Sequence, residues 1–190
     1  MSPETSPRLA LRDATRPHHE RVEAAVDLPA RTRDRATYRA LLASLYSLFG
    51  PLEEQLAGLP WREAGLDFGA HRRAHLLRAD IADLGGAPEA VAPAALPRTD
   101  GLAAGLGALY VLEGSALGGK IIAREAEAAL GLGGVGTSFF RGGDGATWRA
   151  FGRALDAALD TPDRFRRARH AAEQTFDAFG RAVLGPTPTP

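Results

Sequence analysis

Apolar residues recur at spacings of three and four along most of this chain, and no segment alternates apolar and polar residues over the length of a strand. β-branched residues are sparse, whereas the helix formers Ala, Leu, Arg and Glu fill the periodic stretches. The expected fold class is all-α. At 190 residues the chain fits one domain with a substantial core. Helices are expected over Arg8–Leu28 (bent locally at Pro17), Asp34–Leu48 running to Pro51, Leu52–Leu59, Phe68–Leu84 before Gly85-Gly86, Leu102–Leu130, Thr147–Leu159 and Arg164–Leu184. Prolines and small residues make Gly85–Asp100 a loop, and Gly133–Gly145 reads as a glycine-rich turn region anchored by Phe139 and Phe140. No repeat or shift in composition marks a second domain. Residues 8–184 thus form one helical domain, with residues 1–7 a flexible N-terminus and 185–190 a disordered Pro/Thr tail.

Charge and cysteine content narrow the classes of function. Lys plus Arg and Asp plus Glu both number 23, so no global field draws the protein to nucleic acid or to a membrane surface. An anionic ligand must then be met by locally clustered cations. The absence of cysteine removes disulfides, thiolate ligands and thiol nucleophiles together. The N-terminal Met-Ser-Pro-Glu-Thr-Ser-Pro-Arg lacks the order of a signal peptide. No apolar run approaches the roughly 20 residues that span a bilayer. The expectation is a soluble, cytoplasmic protein.

The run Leu109-Tyr-Val-Leu-Glu-Gly-Ser-Ala-Leu-Gly-Gly-Lys120 places Gly114, Gly118 and Gly119 inside a helical stretch, where each glycine costs roughly 0.5–1 kcal/mol against alanine. Helical spacing stacks Tyr110, Gly114 and Gly118 on one face. That face is a strip of bare backbone below a phenol, against which something flat and rigid can lie.

Histidine supplies the candidate ligands. His71 and His75 stand at i, i+4, a chelating spacing, but Arg72, Arg73 and Arg78 surround them and no third ligand is near, so a solvated helix face is the expectation. His170, among Arg166, Arg167 and Arg169, reads as a surface residue. No Glu-x-x-His pair supports a carboxylate-bridged di-iron bundle, and no nucleophile-elbow motif supports a Ser-His-Asp hydrolase. On the first helix, Leu11, Ala14, Val22, Ala25 and Val26 form the apolar face. His18 falls near its middle, and His19 lies on the flank in line with Arg12, Thr15 and Glu23. An imidazole beside an apolar face, with an arginine two turns earlier, suits a flat ligand that has a metal centre and an acidic rim. A pair of helix-surface histidines, one partly buried, fits the same pattern, and periodicity does not choose between His18 and His19.

Two segments resemble one family. Leu11–Glu23 is similar to the N-terminal ligand helix of bacterial heme oxygenases, Leu-Arg-x-Ala-Thr-x-x-x-His-x-x-x-Glu, and Tyr110–Gly119 to their distal helix, Tyr-Val-x-Glu-Gly-Ser-x-Leu-Gly-Gly. The resemblance is nearest to the biliverdin-forming, bacteriophytochrome-associated branch. Weaker echoes are Tyr38-Arg-Ala-Leu-Leu, Phe49-Gly-Pro-Leu-Glu53, Leu77-Arg-Ala-Asp80 and Trp148-Arg-Ala-Phe151. It implies a single-domain multi-helical fold with heme b sandwiched between the N-terminal helix and a glycine-kinked distal helix. His19 would be the proximal iron ligand, Arg12 and Tyr110 propionate contacts, and Gly114, Ser115 and Gly118 the catalytic distal wall. Ser115 stands where some mammalian relatives carry an aspartate. Arg149 and Arg153 are further propionate candidates by position.

The activity implied is cleavage of heme, at once cofactor and substrate, to biliverdin, carbon monoxide and ferrous iron, with dioxygen as co-substrate. Electrons would come from an external donor (a ferredoxin, a reductase or an ascorbate-like reductant), and a bacteriophytochrome would be a possible acceptor of biliverdin. A non-catalytic heme carrier or sensor of the same fold is the main alternative. A relative acting on another small molecule, as thiamin-degrading enzymes do, is disfavoured by the missing cysteine. A purely structural module leaves the interior glycines unexplained.

Overall fold

The computed structural model describes residues 6–88 and 95–184, and among them there are helices and connecting turns but no strand. The expected N-terminal residues 1–5 and the tail 185–190 lie outside the described residues. Helix α1 spans Pro7–Ala25: Ser6 caps it through its hydroxyl, Pro7 supplies a preset first residue, and Pro17 is carried inside it. A short turn of helix, α2, covers Leu28–Arg31, so the first helix ends earlier than its periodicity implies.

Helix α3, Arg35–Ala57, is capped by Asp34 and runs unbroken through Pro51. The two expected helices are therefore one. A proline removes one ladder bond and crowds the preceding turn, yet Leu48 and Phe49 before it and Leu52 and Leu56 after it are all buried in the same core. Tertiary packing outweighs the local penalty. The expected helix Phe68–Leu84 is instead divided. A 3-10 turn at Phe68–His71 follows another at Trp61–Ala64, and helix α4 begins only at Ala74 and ends at Asp83. The break falls where Glu53 of α3 accepts the backbone N–H groups of Arg73 and Ala74 at 2.7 and 3.0 Å, drawing the start of α4 to α3.

Helix α5, Leu102–Leu130, has the span expected and ends at Gly131 in the left-handed region (φ 61°). It alone among the described residues is long and apolar enough to cross a membrane by length and composition. The sequence expectation overlooked it, but 67% of its apolar window is buried inside the fold, which makes it the core helix. Phe139 and Phe140 sit on a short helix, α6, Ser138–Arg141, whose first amides Asp80 accepts at 2.9 and 2.8 Å. Helices α7, Gly145–Ala158, and α8, Pro162–Leu184, complete the chain. Helix α8 packs against α1, α3 and α5. At its crossing with α5 a Cβ on Gly107 would fall 1.9 Å from the Ala168 carbonyl oxygen, so only glycine permits the approach. These contacts fix α1, α5 and α7 around the site.

Candidate functional site

Helices α1, α5 and α7 meet at Tyr110. Its ring lies 5.8 Å from that of Trp148 on α7, and the residue is 9% exposed. Burial raises the phenol pKa, while the Thr15 hydroxyl and the charges of Arg12 and Arg8 on α1 act to lower it. Thr15, expected on the flank, is fully buried, and its hydroxyl donates to the Leu11 carbonyl at 2.8 Å. Arg12 is well exposed and rests on Asp13 at 3.2 Å, an exposed pair that holds it only weakly. Arg149 and Arg153 are exposed on α7.

The two adjacent histidines separate. His18 is tied to α8, with Nδ1 3.1 Å from Asp177 Oδ1 and 2.7 Å from Arg21 Nη2. His19, one turn beyond Thr15, has a side chain 54% exposed. Its Nδ1 stands 3.3 Å from Glu23 Oε2, and its ring meets Phe176 edge-on at 5.9 Å.

On α5 the glycines also divide. A Cβ on Gly114 or Gly118 would meet no atom within 4 Å, whereas one on Gly119 would fall 2.5 Å from the Phe140 carbonyl oxygen. Gly114 and Gly118 therefore form the bare strip, and Gly119 is a packing glycine. Leu117 and Ile121, both about half exposed, continue the strip at i+3 and i+7 from Gly114. The sequence reading passed over them although their spacing was the signal. The Ser115 hydroxyl donates to the Leu112 carbonyl one turn back at 2.7 Å.

Behind this strip lies a buried polar group that the sequence reading missed. His71 is not on a solvated helix face but is 5% exposed, its Nδ1 3.1 Å from Glu113 Oε1, while His75 is exposed on α4. Arg73 is also buried, donates through Nη2 to the Leu112 carbonyl, and lies over the rings of Phe49 and Phe139 at 5.6 and 5.1 Å. Its Nε and Nη1 have no protein partner. Burial lowers its pKa, opposed by Glu113 and Glu53, and burial raises that of Glu53. Charged residues seldom signal burial, and the partners lie some 40 positions apart, so one sequence held no local cue.

A half-exposed imidazole on α1, and on α5 a glycine strip below a buried phenol, are features with which a helical protein can hold a flat ligand. The heme oxygenase family model matches residues 8–184. A heme oxygenase of Xanthomonas campestris pv. campestris (strain 8004) is 32% identical over 148 residues, covering 77% of this chain and 88% of its own length. This chain therefore belongs to the heme oxygenase family. The solved NO- and CO-bound heme oxygenase of Neisseria meningitidis shares the fold, with a TM-score of 0.72 at 20% identity over 96% of this chain and 94% of that one. The protein is a heme-degrading oxygenase, with heme as both substrate and cofactor and dioxygen as co-substrate.

Proposed function

We propose that heme lies between α1 and α5 with His19 as the proximal iron ligand, Arg12 and Tyr110 on its propionates, and Gly114, Ser115 and Gly118 along the oxygen side. The observation that carries this reading is a half-exposed imidazole whose Nδ1 lies 3.3 Å from Glu23, together with a glycine strip at which an added methyl group would meet no atom within 4 Å. These residues fit the group. With Nδ1 set 3.3 Å from the Glu23 carboxylate, Nε2 is the nitrogen of His19 left for iron. Bound there, the heme iron supplies the activation of dioxygen for cleavage of its own macrocycle. Gly114 and Gly118 let the α5 backbone come close, and Leu117 and Ile121 exclude water from the same face. Ser115 stands between the two glycines with its hydroxyl turned back to the Leu112 carbonyl. Arg12, freed from a weak exposed pair, and Tyr110 fix the acidic edge and so the rotation of the ring in its plane.

The products are biliverdin, carbon monoxide and ferrous iron. Electrons are supplied by a ferredoxin, a reductase or an ascorbate-like donor in the cytoplasm, and biliverdin passes to a bacteriophytochrome. Titration with hemin is expected to give a Soret band, which ascorbate and oxygen then convert to biliverdin absorption. Stable bound heme under those conditions would instead support a carrier or sensor. His19→Ala is expected to remove the imidazole-ligated spectrum and His18→Ala to leave it. The reverse pattern would overturn the assignment of the ligand.

A further inference from the structure

Glu113 belongs to the motif that identifies the distal helix, yet neither iron ligation nor propionate binding uses it. It precedes Gly114 and lies on the buried side of α5, about 100° around the helix from that glycine. Along this back side three residues are buried in turn, Glu113, Ala116 and Gly119. Ala116 is met by Gly143, where a Cβ would fall 2.5 Å from the Ala116 carbonyl oxygen, and Gly119 by the Phe140 backbone. Those two supports are close steric contacts that set a distance. The bond between Glu113 and His71 is directional, and it joins α5 to the 3-10 turn Phe68–His71 at 3.1 Å with side chains 7% and 4% exposed. His71 reaches the front of α5 by a second route. Its ring packs on Phe151 at 5.8 Å, Phe151 on Trp148 at 5.9 Å, and Trp148 on Tyr110 at 5.8 Å.

A buried polar pair, charged or not, seldom adds stability beyond an apolar pair of similar volume, and its best-attested use is to fix register. Beyond Tyr110 the front face of α5 bears two glycines at which an added methyl group would meet no atom within 4 Å, so along that stretch rotation is set from the back of the helix. We infer that His71 and Glu113 are positioning residues that set the rotation of α5, and with it the placement of Gly114, Gly118 and Tyr110 against the substrate. The inference rests on the heme site proposed above only for its hemin-dependent readouts.

The test compares His71→Gln, His71→Leu and the double variant His71→Leu/Glu113→Leu. The double variant is expected to fold at least as stably as His71→Leu, since its buried charge is gone. Amides 113–119 of the ligand-free double variant are expected to exchange about tenfold faster than in the unaltered protein. Hemin Kd is expected to weaken about three- to tenfold, as for a binding-competent population reduced by that factor, and the ratio of biliverdin isomers to change. His71→Gln keeps an N–H donor and is expected to restore both exchange and isomer ratio. Unaltered exchange in the double variant, or a Gln variant as loose as the Leu variant, would overturn the inference. Exchange is read without hemin, so failure of the unaltered protein to bind hemin would sink the heme reading and leave this result standing.

Discussion

The division of the α5 glycines can be tested one position at a time, because stability and binding should move in opposite directions. At Gly118 a methyl group meets no atom within 4 Å. Gly118→Ala therefore adds no clash and removes the glycine penalty, a gain of roughly 0.5–1 kcal/mol in the ligand-free protein. For a domain of this size that raises Tm by about 1–4 °C. At Gly119 the same methyl falls 2.5 Å from the Phe140 carbonyl oxygen, a backbone atom that cannot swing aside. The displacement needed costs on the order of 1–3 kcal/mol, which outweighs the propensity gain. Gly119→Ala should therefore melt earlier than the unaltered protein by a few degrees, about 2–4 °C per kcal/mol lost. Gly118→Leu separates function from stability: it should fold normally, bind hemin poorly and form no biliverdin. Thermal unfolding of ligand-free protein and hemin titration measure both quantities. Loss of stability in Gly118→Ala, or normal biliverdin formation by Gly118→Leu, would refute the close-approach argument.

Arg12→Gln and Tyr110→Phe should each weaken hemin binding by about 1.5–3 kcal/mol at most, the range for a hydrogen bond to a charged group. Neither should alter affinity for the dimethyl ester of heme, which lacks the carboxylates; an equal loss with the ester would remove both from the acidic edge. Glu53 gives a pH signature. Burial raises its pKa in the folded state, so the folded protein binds the extra proton and the contribution of this group to stability falls as pH rises from the ordinary carboxylate value through the raised one. Glu53→Gln keeps an acceptor for the Arg73 and Ala74 amides and removes that titration. Relative to the unaltered protein it should gain stability as pH rises, measured by urea unfolding from acid to neutral pH; a difference that is flat or opposite in slope would contradict the assignment.

Helix positions were legible wherever apolar spacing and end signals agreed, as for α5 between Gly101 and Gly131. They were misread where contacts distant in sequence decided. Pro51 sits in a continuous helix because both flanks are buried in one core. The Phe68–Leu84 segment breaks because a carboxylate on α3 takes the amides of Arg73 and Ala74. The proposed front of the site, His19, Tyr110, Gly114 and Gly118, comes from motif spacing. Its back could not be read that way, since His71 looks like a solvated histidine until Glu113 is placed beside it. Periodicity left His18 and His19 equivalent; the motif position favours His19, and the engagement of His18 by Asp177 on α8 agrees with that choice.

Helix α5 contains five glycines, and its stability depends on which are compensated. Gly105 and Gly107 admit Leu59 and the α8 backbone, and Gly119 admits α6, so close packing offsets their conformational cost. Gly114 and Gly118 are offset by no protein contact, which leaves a deficit of roughly 1–2 kcal/mol at the site. A ligand that fills the strip should recover it. At a free concentration one hundred times its Kd, a ligand specific for the folded state adds about 2.7 kcal/mol, enough to exceed the deficit and to raise Tm by about 5–10 °C at this chain length. Hemin is expected to do so with the unaltered protein, and Gly118→Leu should abolish most of the shift without lowering the ligand-free Tm. A shift of equal size in that variant would mean that hemin stabilises the fold from elsewhere, and the glycines of α5 would then need another reason.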